Sequence, residues 1–266
     1  MNNTQIISII NQKGGVGKTT TVINLATALA FKKKKVLVID LDPQGNATTG
    51  LGLANDDNTK TIYDVLNGTC SFDESIKDTK IDDLKIVSSN VDLSGLEVET
   101  ANENRRAFLL KDKIESFINN NKNNFSYILI DCPPSLSLLT VMSLVVAKSL
   151  LVPLQAEFFA LEGLSQLMKT IDRIKIKLNP TLQIRGVLLT MFDKRNKLSG
   201  EVDVEARKFF KEKVYKTVIP RNVRLSEAPS HGTPILIYDK FCAGSKSYSS
   251  FAEEFLKQEN LFESAA

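Results

Sequence analysis

Asn11-Gln12-Lys13-Gly14-Gly15-Val16-Gly17-Lys18-Thr19-Thr20 follows an apolar run over residues 6–10 and precedes a segment in which Val22, Leu25, Ala26 and Leu29 share one face at helical spacing. Strand, glycine-rich loop, helix is the setting of a phosphate cradle. The glycines let successive backbone N–H groups turn inward, the new helix N-terminus adds partial positive charge, and a lysine completes the cage. The usual P-loop carries glycine five residues before the Gly17-Lys18-Thr19 step. Here Gln12 stands there, and two adjacent glycines follow a second lysine, Lys13. Two lysines beside an array of N–H donors repel each other unless an anion lies among them, so the stretch predicts a bound nucleotide polyphosphate.

Working outward, residues 36–39 (Val-Leu-Val-Ile) form an unbroken apolar run of the kind that fills a buried parallel strand. It runs into Asp40-Leu41-Asp42-Pro43-Gln44-Gly45-Asn46. Aspartates at the carboxyl end of a strand beside the phosphate loop lie where open α/β sheets bind ligands. The other reading of Asp40 and Asp42 is as helix caps or loop carboxylates. Residues 127–130 (Tyr-Ile-Leu-Ile) lead into Asp131-Cys132-Pro133-Pro134-Ser135, a strand ending in aspartate as in a Walker B arrangement, with two prolines that forbid an immediate helix. Further strands are predicted over 84–87, 150–153, 184–190 and, last, 214–219. Helices are predicted over 108–118 and 137–147, with a short one near 63–66 and a long amphipathic one opening at Gln155 and reaching towards Lys177. Phe158 and Phe159 on that helix read as core or as part of a dimer face. Residues 119–124 read as a turn, and little can be read from 54–83. This alternation predicts one α/β domain over residues 1–266, with a doubly wound, mostly parallel sheet and a short C-terminal helix.

Composition bounds the rest. Hydrophobic residues make up 42% of the 266 and charged ones 24%, the balance of an ordinary globular chain. Cys70, Cys132 and Cys242 are far apart and form no C-x-x-C, which argues against a disulfide or zinc framework and fits a reducing cytoplasm. One histidine, His231, builds no metal cluster. No apolar run is long enough for a signal or a bilayer span, so a cytoplasmic protein is expected. Net charge is +3, but residues 194–224 hold ten basic and four acidic side chains, leaving the remainder net negative.

The stretch Lys13 to Thr19 resembles the deviant Walker A motif of the ParA/MinD ATPases, and the segments after Asp40 and Asp131 resemble that family's two switches. The resemblance covers residues 6–238 and implies a P-loop NTPase that uses ATP, ADP and Mg²⁺. It implies that Gly14, Gly15, Val16, Gly17, Lys18, Thr19 and Thr20 bind the nucleotide, and that Lys18 meets the β- and γ-phosphates. Thr19 would ligate Mg²⁺ with Asp131 held near it, and Asp40 would support Mg²⁺ or a lysine. Asp42 would orient the attacking water. Lys13 would reach the partner's nucleotide in a homodimer, with Gly14 where two subunits meet. Met191, Pro220 and Asn222 are carried over as adenine-site residues.

Within the family the leading expectation is a ParA/Soj-type partitioning ATPase, nucleoid-associated in the cytoplasm and stimulated by a ParB-type partner. Arg195 and Arg224 match DNA-binding positions there, with Lys194 and Lys197 assisting; the plainer reading is that all four are solvated surface charges. Contacts of that kind would be to phosphate, and so non-specific and salt-sensitive. A MinD-like membrane ATPase is the alternative, but the tail carries Glu253, Glu254, Glu259 and Glu263 against Lys257 alone, a poor match to anionic lipid. Phe251, Phe255, Leu256 and Phe262 are its apolar residues. A metabolic or iron–sulfur enzyme on the same scaffold is a third class, disfavoured by scattered cysteines and the lack of a separate substrate motif.

Overall fold

The computed structural model describes residues 4–53, 59–120, 125–157 and 160–263. Phe158, Phe159 and most of the turn expected at 119–124 lie outside the described residues, as do the side chains of Phe262 and Glu263. In chain order the strands are β1 (Gln5–Ile9), β2 (Val36–Asp40), β3 (Ile76–Asp78), β4 (Leu84–Val87), β5 (Tyr127–Asp131), β6 (Ser149–Gln155) and β7 (Gln183–Thr190). The helices of the first half are α1 (Lys18–Phe31), α2 (Asn46–Gly50), α3 (Ile62–Asn67), α4 (Phe72–Ser75), α5 (Leu96–Glu99) and α6 (Leu109–Asn120). Those of the second half are α7 (Leu138–Val146), α8 (Ala160–Lys177), α9 (Lys197–Phe210), α10 (Val223–Glu227), α11 (Ile235–Tyr238) and α12 (Ala243–Glu263).

The sheet order is β3-β4-β2-β5-β1-β6-β7. Every pairing is parallel except β3 with β4 at one edge. The doubly wound, mostly parallel α/β sheet read from the sequence is therefore the one observed. Period-two alternation along each strand sends side chains to opposite faces. Ile7, Ile9, Val36, Val38, Leu129 and Leu151 pack beneath α1 and α12. On the opposite face Leu37, Ile39, Ile128 and Ile130 meet α6 and α7, and Leu150, Val152, Val187 and Leu189 meet α8 and α9. Both faces are covered, which is why the strands read as continuous apolar runs.

Three expectations need correction. The helix expected to open at Gln155 starts, among the described residues, at Ala160; Gln155 closes β6, in register with Thr190. The C-terminal helix is not short. It runs 21 residues, because Tyr248, Phe251 and Phe255 seat it, fully buried, against the sheet. Residues 214–219 are not a strand. Tyr215 N–H donates to Val187 O (3.0 Å) and Ile219 N–H to Leu189 O (2.8 Å), so four residues of this segment span two of β7 and no ladder can form. The Tyr215 ring lies over Gly186, where an added Cβ would approach its Cε2 to 2.4 Å.

Candidate nucleotide site

β1 ends in the middle of the sheet, between β5 and β6, and the phosphate loop leaves from that end. Gly15 and Gly17 take φ of 73° and 87°, the left-handed region that side chains avoid. Gly17 caps α1 without a side-chain cap, and the first intrahelical bond is Thr21 N–H to Gly17 O (2.9 Å). The N–H groups of Lys18, Thr19 and Thr20 are thus left for an anion. Val16 is buried, and its carbonyl accepts from Thr190 Oγ1 at the end of β7 (2.8 Å). Asn11 ties the start of the loop to β6: its Nδ2 donates to Pro153 O (2.8 Å) and its Oδ1 accepts from Lys13 N–H (3.0 Å). The loop is held on both sides before any ligand arrives.

One cleft of about 740 Å³ runs from this loop to the exits of β7 and the 214–222 segment. It is lined by Gly14, Gly15, Gly17, Lys18, Thr19 and Thr20, then by Asp42 and Pro134, and at its far end by Met191, Ile219, Pro220 and Asn222. Residues 14–20 and residues 191–222, 171 to 208 positions apart in the chain, share one cavity of ligand size. Met191 has φ 49°, so the chain turns sharply as it leaves β7. The Oδ1 of Asn222 is buried with no hydrogen-bond donor, leaving an acceptor at the cavity's far end.

The two lysines part company. Lys18 is buried, its Nζ donates to Lys13 O (3.1 Å), and burial lowers its pKa against the opposing pull of Asp131. Lys13 is half-exposed, does not line the cleft, and pairs instead with Glu157 (2.8 Å). Glu157 also lies 3.9 Å from Arg221.

The aspartates differ as sharply. Asp40 and Asp131 are register partners at the ends of β2 and β5. Asp40 accepts from Asp42 N–H (3.2 Å) and, on its other oxygen, from Thr48 N–H and Thr48 Oγ1 (both 2.8 Å). Burial raises its pKa to about 6 despite these donors. Both Asp131 oxygens are buried and form no hydrogen bond of normal geometry. Burial and then Asp40 push its pKa well above the carboxylate range; Thr19 and Lys18 act the other way. A divalent cation is what such a carboxylate lacks, so the residues fit Mg²⁺ beside Thr19. Among the described residues no cluster of three or more acidic, cysteine or histidine side chains could hold a metal alone. That suits Mg²⁺, which is held by one or two protein groups together with substrate phosphates. Asp42 lines the cleft and accepts from Gln44 N–H (3.0 Å).

Arg195 and Arg224 do not line the cleft: Arg195 lies on the loop between β7 and α9, and Arg224 in the short helix α10. Arg195 is 91% exposed and forks onto Asp193 with Nε and Nη2 at 3.1 and 3.0 Å. Arg224 pairs with Glu227 (2.8 Å) and lies 3.8 Å from Asp239.

Over 258 residues the chain is 50% identical to the chromosome partitioning protein ParA of Caulobacter vibrioides, covering 97% of this chain and 96% of that protein. The chain belongs to the ParA/Soj family. It is 48% identical over 250 residues to the sporulation initiation inhibitor protein Soj of Bacillus subtilis, 94% of this chain and 97% of that one. The family described as an AAA domain matches residues 4–184. Among solved structures, cobyrinic acid a,c-diamide synthase from Mycobacterium smegmatis with bound ATP analog and magnesium superposes with a TM-score of 0.84. It is 31% identical, over 96% of this chain and 95% of that one. Four residues that shape the cleft's surroundings were not singled out by the sequence. Asn11, Thr48, Glu157 and Thr190 act through folded contacts, and no spacing in the chain marks any of them. Asn11 and Glu157 do lie inside stretches that stand out, but without a signal of their own.

Proposed function

We propose that this chain is an ATP-dependent DNA-segregation ATPase of a single domain. Its ATP-bound form pairs with a second copy, binds DNA without reading sequence, and lets go on hydrolysis stimulated by a ParB-type partner. The observation that carries this reading is the separation of the two lysines. Lys18 lines the cleft with the phosphate loop, while Lys13 stands outside it on Glu157. A lysine excluded from its own site is available to a neighbour's. The printed names of the relatives, chromosome partitioning and Soj, support the biological role.

In this reading Lys18 and the N–H groups of residues 18–20 hold the β- and γ-phosphates, and Asp42 orients the water that attacks in line. Thr19 and Asp131 would hold Mg²⁺, which supplies charge to offset the phosphate oxygens. Asp40, with both oxygens engaged, fixes the turn after β2 and so the aim of Asp42. Asn222 Oδ1 accepts from the adenine amino group, between Met191 and Pro220. Lys13 of each copy reaches the other's nucleotide. Arg195 and Arg224 meet DNA phosphates, which accords with their position away from the cleft.

A membrane-bound alternative finds less support. No described helix is long and apolar enough to cross a bilayer, and Phe251 and Phe255, the tail's main apolar residues, are fully buried against the sheet. We infer a cytoplasmic, nucleoid-associated protein. DNA binding and sedimentation of the purified chain with ATP, with ADP and without nucleotide test the proposal. Pairing and DNA binding are expected with ATP only. Equal DNA affinity in all three states, or flotation with anionic liposomes, would overturn it.

A further inference from the structure

The base end of the cleft is built on a segment that the sheet holds only at its two ends, through Tyr215 N–H to Val187 O and Ile219 N–H to Leu189 O. Between Tyr215 and Ile219 the chain bulges away from β7, leaving its polar backbone without ladder partners. Two side chains from different helices take their place. Arg207 of α9 donates from Nη1 to Val214 O (3.4 Å) and from Nη2 to Tyr215 O (3.1 Å), and its Nε is fixed on Asp203 (2.7 Å). Glu254 of α12 accepts from Lys216 N–H on one oxygen (2.6 Å) and Thr217 N–H on the other (2.8 Å). Immediately downstream come Ile219, Pro220 and Asn222, which line the cleft.

We propose that Glu254 is a positioning residue for the nucleotide base, acting through the backbone of residues 216–219. The inference rests on the reading of this cleft as an ATP site, and it assigns to the C-terminal helix a role in ligand affinity. Two successive N–H groups held by the two oxygens of one carboxylate fix both the height and the twist of the segment, because neither oxygen can slide without losing its donor. Helix α12 is itself immobilised. Phe251 packs edge-on against Tyr215 at 4.8 Å between ring centres, and Tyr127 donates to Glu259, five residues along the helix from the carboxylate that holds the segment. The same helix reaches the phosphate end, where Tyr248 OH and Thr21 Oγ1 lie 3.1 Å apart. One rigid rod therefore sets the distance between the two halves of the site. Glutamine in place of Glu254 keeps the shape but presents an amide N–H to one of the two backbone donors, so the segment must shift.

Calorimetric titration of the full chain with MgATP and, separately, with inorganic tripolyphosphate tests this. For Glu254→Gln and Glu254→Ala, the Kd for MgATP is expected to rise about tenfold, as the loss of charge-assisted bonds predicts. The Kd for tripolyphosphate, which touches only the phosphate loop, stays unchanged. Unchanged MgATP affinity in both variants overturns the proposal. So does parallel loss of both ligands, which means a general loosening of the fold. If the parent chain itself binds tripolyphosphate but not ATP, the ATP reading of the cleft falls first and this inference with it.

Discussion

Asp40 and Asp131 face each other across adjacent parallel strands, in register, both fully buried, yet one carboxylate accepts three hydrogen bonds and the other none of normal geometry. The asymmetry sorts two similar strand ends into different work. Asp40 organises the turn that carries Asp42. Burial and Asp40 oppose the charge on Asp131, and a bound cation would offset that penalty. Asp131→Asn is therefore expected to have two opposite effects. It should raise the stability of the nucleotide-free protein, on the order of 1 kcal/mol, by removing a buried carboxyl whose ionisation burial and Asp40 oppose. It should also raise the Mg²⁺ concentration for half-maximal hydrolysis at least tenfold, as for groups that hold a metal in place. Urea unfolding and a Mg²⁺ titration of turnover measure the pair.

Lys13 lies outside its own cleft, so Lys13→Ala should leave nucleotide binding by the single chain nearly unchanged. ATP-driven pairing should disappear, and turnover should fall on the order of 100-fold, the scale of one lost transition-state charge. Fluorescent nucleotide binding and analytical ultracentrifugation separate the two effects. Loss of nucleotide binding by the monomer would show that Lys13 serves its own subunit.

The fork from Arg195 onto Asp193 neutralises the exposed arginine within the chain. Hydrogen bonding from Arg195 holds the Asp193 carboxyl down to about 2. A carboxyl depressed in the folded state keeps its pairing above the ordinary value near 4 and loses it only as pH falls through about 2. Acidification to pH 5 therefore leaves the pair intact. Asp193→Asn instead frees the guanidinium, and DNA affinity should rise several-fold with a steeper dependence on salt. An unaltered salt slope in that variant would count against Arg195 as a DNA contact.

Thr48, on α2, links the ends of β2 and β4. Its hydroxyl donates to Asp40 Oδ2 (2.8 Å) and accepts from Ser89 N–H (3.1 Å), and it is fully buried. Thr48→Val keeps the shape and strands the Ser89 donor, at a cost of about 1–3 kcal/mol. Chemical denaturation gives the value directly. Turnover should also fall, because Asp40 loses a donor that fixes the turn before Asp42.

Gly186 sits in β7 where the Tyr215 ring crosses the strand. Since an added Cβ would come within 2.4 Å of that ring, Gly186→Ala must push a fully buried tyrosine and should destabilise the fold by about 1–3 kcal/mol. A thermal melt detects it. Because Tyr215 opens the base segment, weaker ATP binding should accompany the loss.

The chain by itself determined the class of fold and the chemistry of its centre. Apolar runs without alternation dictate strands buried on both faces, and Gly15 and Gly17 before Lys18 can only be a loop whose N–H groups turn inward. Those signals are local, since they depend on backbone freedom and on neighbours a few positions away. Contacts across long separations were settled by the tertiary structure alone. That Asp131 forms no hydrogen bond of normal geometry while Asp40 accepts three, that Lys13 leaves the cleft for Glu157, and that residues 214–219 bulge from the sheet onto Arg207 and Glu254 all follow from which elements the sheet order brings side by side. Residues 214–219 carry a good strand pattern, and Glu254 reads as one more solvated charge on a tail. Only folding, by setting α12 against the open backbone of that segment, gives the pattern its exception and the charge its two donors.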